Sequence, residues 1–127
     1  MPIHINLENK KAKYTTPVTD VSGTTPVQLV KAKPYYRKFI PVKIMIYNSD
    51  TSDHVLTLGS VKTADNSWVE DKYVIKVLAG QMLILTRDEI PIDYVMTTDP
   101  DIELAWGAKL EGSAGSPVKV KIEFDIE

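Results

Sequence analysis

The chain has 127 residues, 43% of them hydrophobic and 25% charged, with a formal net charge of -2; this is the make-up of one soluble globular domain, large enough to bury about two-thirds of its unfolded surface. The absence of cysteine excludes a disulfide framework, a thiol nucleophile and cysteine-ligated zinc. Mild acidity gives no whole-molecule attraction for nucleic acid or anionic lipid, and no apolar run approaches the ~20 residues that span a bilayer.

Residues 1–20 read as an N-terminal arm. Its first part, Ile3-His4-Ile5-Asn6-Leu7, alternates apolar and polar residues, a pattern that can add as a strand to a free sheet edge on its own subunit or on a neighbour. Because His4, Asn6 and Glu8 interrupt the apolar residues, the segment lacks the layout of a signal peptide, and synthesis in the cytoplasm of the producing cell is expected. A polar stretch follows to Asp20, and residues 21–127 are assigned to a single domain.

Ser22-Gly23-Thr24-Thr25-Pro26 is turn chemistry, and a first strand is expected at 27–32. Over 39–48, Ile40, Val42, Ile44 and Ile46 alternate with Phe39, Lys43, Met45 and Tyr47, which predicts a strand with Pro41 at its entry or on a sheet edge. The polar run 48–53 and a strand at 55–61 complete an expected hairpin. A loop at 64–67, a strand at 73–77, a turn at 78–81 in which Gly80 supplies a positive φ, and a return strand at 82–85 come next. Arg87-Asp88-Glu89 breaks the pattern, 90–96 resumes it, and 97–101 turns again. In 102–110, Ile102, Leu104 and Trp106 share one face, which places Trp106 in the core.

A loop at 112–117 leads into the last strand, whose alternation is perfect: Val118, Val120, Ile122, Phe124 and Ile126 face one way, Lys119, Lys121, Glu123, Asp125 and Glu127 the other. About seven or eight short strands and no 3.6-residue periodicity predict an all-β fold, an antiparallel β-sandwich or jelly-roll-like barrel.

Chemistry-bearing residues are sparse. Asp93, Asp99, Asp101 and Glu103 match no calcium loop and read, like Asp50 and Asp53, as solvated turns. His4 and His54 are the only imidazoles, and without a nucleophile elbow His54 reads as an ordinary surface or edge histidine. Lys31, Lys33, Tyr35, Tyr36, Arg37 and Lys38 interleave cations with rings as single-stranded nucleic acid prefers; the negative total charge and Pro34 favour a structural loop or subunit contact, so nucleic acid is not expected as a partner. Trp68, after Asn66-Ser67, is the more exposed of the two tryptophans in this reading. No catalytic residue, cofactor or metal ligand is assigned, and an enzyme is not expected.

From Pro41 onward the order of features resembles the small β-sandwich accessory proteins of tailed-virus particles. The resemblance rests on Val42-Lys43-Ile44-Met45-Ile46-Tyr47-Asn48, the polar turn after it, Leu78-Ala79-Gly80-Gln81, Met82-Leu83-Ile84-Leu85, and the closing strand at Glu127. These motifs are architectural. The resemblance implies a virion protein of the capsid decoration (cement) or tail-associated type, often a homotrimer, with the major capsid protein or another virion protein as partner and a terminal arm that reaches onto neighbours. Ile3, Ile5 and Leu7 are then the arm's partner-binding residues, and Tyr35, Tyr36, Arg37 and Trp68 a ligand or subunit contact. The competing expectation is a carbohydrate-binding module that stacks sugars on Trp68, Tyr35 and Tyr36.

Overall fold

The computed structural model describes residues 12–30, 38–96 and 103–127. These fold without a helix into strands β1 (Ala12–Thr15), β2 (Thr19–Val21), β3 (Val27–Gln28), β4 (Lys38–Asn48), β5 (His54–Lys62), β6 (Trp68–Val77), β7 (Met82–Thr86), β8 (Val95–Met96), β9 (Leu104–Leu110) and β10 (Val118–Ile126). One sheet runs β1-β10-β4-β7, with β2 continuing the β1 edge along β10 and β8 continuing the β7 edge along β4. The other runs β3-β9-β5-β6. The pairing is nested: first strands with last (β1 and β2 with β10), then β3 with β9, β4 with β7 and β8, and β5 with β6, all antiparallel. This is jelly-roll pairing in a two-layer β-sandwich.

Several expected hairpins are crossings between layers. β4 and β5 lie in different sheets, as do β6 and β7, and β9 and β10. Ile44 and Ile46 of β4 and Leu56 and Leu58 of β5 are all fully buried; a chain that crosses at 49–53 sets these two rows face to face across the core instead of side by side in one layer. Among the described residues, only β5 and β6 form a true hairpin of neighbouring strands. β6 starts at Trp68, five positions earlier than the alternation predicts, because a sheet-edge strand with bulges beside it can carry Val69-Glu70-Asp71-Lys72 in water without strict periodicity.

Residues 12–20, read from sequence as part of the arm, lie along β10 together with Val21, β1 and β2 pairing with it. Pro17 breaks the run between β1 and β2, and Thr16 bridges the gap: its N–H donates to Ile122 O at 2.9 Å and its Oγ1 accepts from Ile122 N at 3.0 Å. β4 is an interior strand, and Pro41 sits at a bulge rather than on an edge: the β4–β10 register shifts between Glu123 and Phe124, leaving Val42 as the extra residue. The extra residue reverses the facing below it. Phe39, expected opposite Ile44 and Ile46, therefore turns inward and is 4% exposed.

Rings fill the space between the layers. Trp106, fully buried, stacks on Tyr73 with centroids 5.8 Å apart and leans on Phe124 at 5.8 Å, while Phe39 meets Phe124 edge-on at 5.9 Å. The Trp106 indole N–H donates to Phe39 O at 3.0 Å, a buried bond from one sheet to the other. Gly59 in β5 is a position of close approach: a Cβ there would stand 2.0 Å from Glu70 O and 2.7 Å from the Trp68 ring.

Two substitutions measure these features. Trp106→Ala removes the largest buried side chain and the inter-sheet bond, and should cost about 3–5 kcal/mol in denaturant unfolding; a loss under 1 kcal/mol would contradict the assigned role. Gly59→Ala adds one methyl group against backbone and should lower the melting temperature, whereas Gly112→Ala, where nothing lies within 4 Å, serves as the control expected to change it little.

Candidate interaction surface

The outward side of a sandwich sheet is ordinarily polar because it faces water. In the β1-β10-β4-β7 sheet it is not. β4 turns Met45 and Tyr47 outward, and the register sets them against Ile84 and Met82 of β7. On the other flank, Lys121 lies beside Met45 and Lys119 beside Tyr47. Met82 is 59% exposed, Ile84 53%, Tyr47 37%, and Val18, in the break between β1 and β2, 60%. Together with the stems of Lys119 and Lys121 they line a shallow depression of about 290 Å³. Lys119 Nζ pairs with Asp20 at 3.1 Å in solvent, and no carboxylate pairs with Lys121 among the described residues. An exposed apolar strip with a lysine rim departs from the polar make-up usual for a solvent-facing sheet.

Further down the same face the strand is guarded. Asp125, expected to be wet, is 7% exposed and accepts from Arg87 at 2.9 Å and Lys13 at 3.3 Å. These ion pairs draw the β1 edge and the turn after β7 over β10, and they bound the apolar strip at one end.

Of the residues singled out in the sequence, Ile3, Ile5, Leu7, Tyr35, Tyr36 and Arg37 lie outside the described residues. Trp68 opens β6 and is half-buried on the outer side of the second sheet. Its ring covers Gly59, Lys109 Nζ stands 4.4 Å from its ring centroid, and its indole N–H donates to Asp71 at 2.6 Å. The ring is thus engaged by its own sheet on several sides. Val18, Met82 and Ile84 were not singled out. Met45 and Tyr47 carry a signal in sequence, apolar residues on both faces of 42–47, but their junction with β7 depends on a pairing across more than thirty residues.

His54 and Asp50 are not the solvated residues expected. His54 Nε2 lies 2.6 Å from Asp50 Oδ2, with both side chains about one-tenth exposed. Asp50 also accepts from Thr51 N at 2.8 Å and Gly115 N at 3.2 Å. The His54 bond first, then the backbone donors, hold the Asp50 carboxyl below its ordinary value. The pair clamps the 49–53 crossing to the 111–117 loop, and among the described residues no hydroxyl hydrogen-bonds to His54. Asp93 pairs with Lys72 at 3.2 Å and Glu103 accepts from Thr63 Oγ1 at 3.2 Å. Among the described residues, no group of three or more histidines and carboxylates is arranged to hold a metal.

A carboxylate whose folded value is depressed stabilises the fold above its ordinary range and loses that contribution as pH falls through the folded value. Asp50→Asn should therefore lower the melting temperature at pH 7, with the gap to wild type closing as pH drops below 3.8; a gap that stays constant down to pH 2 would rule the clamp out. No protein-family model matches the chain, and no curated protein matches it.

Proposed function

We propose that this is a non-enzymatic structural protein of a virus particle, a capsid decoration (cement) protein that self-associates, as a trimer by preference, and holds the major capsid protein or another virion protein through its sandwich body and N-terminal segment. On this reading it is made in the host cytoplasm and resides in the virion. The observation that carries the reading is the apolar strip Met45, Tyr47, Met82 and Ile84 on an outward sheet face, where water would otherwise select polar residues. Further support comes from the jelly-roll pairing, an architecture shared by many capsid and carbohydrate-binding domains, although a fold does not by itself assign a function. A cement protein needs contact area repeated by symmetry more than it needs a reactive group, because modest contacts on a repeating lattice combine through effective concentration.

Mass spectrometry of purified particles from the virus that encodes the chain tests this directly. The expected result is a copy number commensurate with the major capsid protein, and binding of the purified protein to stripped particles that weakens at least tenfold in a Tyr47→Asp, Ile84→Asp double variant of unchanged circular dichroism. Absence from particles would overturn the reading. Binding to a glycan array that vanishes in Trp68→Ala would replace it with the carbohydrate-binding module.

A further inference from the structure

β7 is an open edge. It pairs with β4 on one side, and among the described residues no strand pairs with its other side. The direction of its backbone groups can be read at Thr86, whose N–H donates to Glu89 Oε1 at 3.2 Å and whose O accepts from Glu89 N at 2.9 Å. Glu89 thus occupies the side away from β4. Backbone groups repeat their direction every second residue along a strand, so the N–H and C=O of Met82 and Ile84 point the same way, to the unpaired side. The side chains of these two residues form the exposed apolar row. Glu89 closes the edge at Thr86, leaving room for a short strand of about five residues.

Outside the described residues the chain contains one segment of that length and pattern, Ile3-His4-Ile5-Asn6-Leu7. Its own domain cannot supply it to this edge. A strand added outside β7 lies four spacings from β1 in the order β1-β10-β4-β7, a lateral distance of ~19 Å. Ala12 is level with Ile126, and Thr86 is level with Lys43 and so with Glu123, which adds an offset of ~10 Å along the strands and makes the separation ~21 Å. From Ala12 back to Leu7, fully extended chain reaches at most ~18 Å. A second copy has no such limit.

We infer that Ile3, Ile5 and Leu7 of one copy add as a strand to the free β7 edge of a second copy, setting their side chains beside Met82 and Ile84. Main-chain bonds to Met82 and Ile84 supply affinity, and the alternation sets register by placing Ile3, Ile5 and Leu7 on the apolar face. The contact is heterologous, one copy's segment on another's edge, so it closes into a ring or continues as a chain. The inference deepens the assembly reading and rests on it for biological setting, but strand exchange is measured on the free protein and particle residence on the virion, so either can fail alone.

The test uses full-length chains in native mass spectrometry and sedimentation. Residues 1–20 are not deleted, because that would strip β1 and most of β2 from β10. Wild type should form oligomers, and Ile5→Asp and Ile84→Asp should each weaken association at least tenfold with unchanged melting temperature. Mixing the two variants should produce one-to-one heterodimers, since the intact segment of the Ile84→Asp chain meets the intact edge of the Ile5→Asp chain. A wild type that stays monomeric at about 100 μM, an Ile5→Asp chain of unchanged oligomer mass, or a mixture that remains monomeric would each overturn the inference.

Discussion

The side chain of Asn48 sits where the two layers are joined, and the sandwich depends on it. Fully buried at the end of β4, its amide nitrogen reaches Ser52 O at 2.9 Å, and Val77 O and Leu78 O at 3.2 Å, while its Oδ1 accepts from Asp50 N at 3.0 Å and its backbone N–H donates to Gln81 O at 3.0 Å. One residue thus satisfies carbonyls of both the 49–53 and the 78–81 crossings. A buried carbonyl left without a donor costs about 1–3 kcal/mol, and chain that turns between layers has no ladder to supply one.

The 111–117 crossing, and the 22–26 crossing between β2 and β3, which also lie in different sheets, are tied into the same end. Ser49 Oγ donates to Pro117 O at 2.6 Å, Gly115 N to Asp50, Ala114 N to Ser22 O and Leu110 N to Gly23 O. Gly80, with φ of 69°, makes the tight turn after β6, and Ala79 N donates to Asp53 at 2.8 Å. Polar residues that would be unremarkable in a surface turn are here the fasteners of a jelly roll. The apolar core alone would press two sheets together without fixing how the chain passes between them.

Rigidity at that end has a consequence for the outer face. Tyr47 and Met82 flank the fastened crossings, so the apolar strip begins on backbone held by hydrogen bonds, and any contact made there would cost little ordering entropy. At its other end the strip stops where Asp125 gathers Arg87 and Lys13. The face therefore divides into an apolar half open to contact and a charged half closed on itself. β10 is paired on both sides, so its mixed charges guard no edge, whereas β7 carries no charge between Met82 and Thr86 and lacks the charged residues that blunt a sheet edge.

The all-β class, the burial of Trp106, the positive φ of Gly80 and the two faces of β10 are legible in the sequence, because alternation with period two and the stereochemistry of glycine act over a few residues; β1 and β2, in a polar stretch without alternation, are not. The alternation also sets Met45 and Tyr47 on the face opposite Ile44 and Ile46, though nothing local says that this methionine will meet Ile84. That β4 and β5 lie in different layers, that a bulge at Val42 turns Phe39 inward, that Asp50 and His54 form a clamp, and that Met45, Tyr47, Met82 and Ile84 make one surface emerges from the folded chain alone. Each of these depends on pairing between segments far apart in the chain. A residue's facing is set by its own strand, but its neighbours are set by which strands the core brings together.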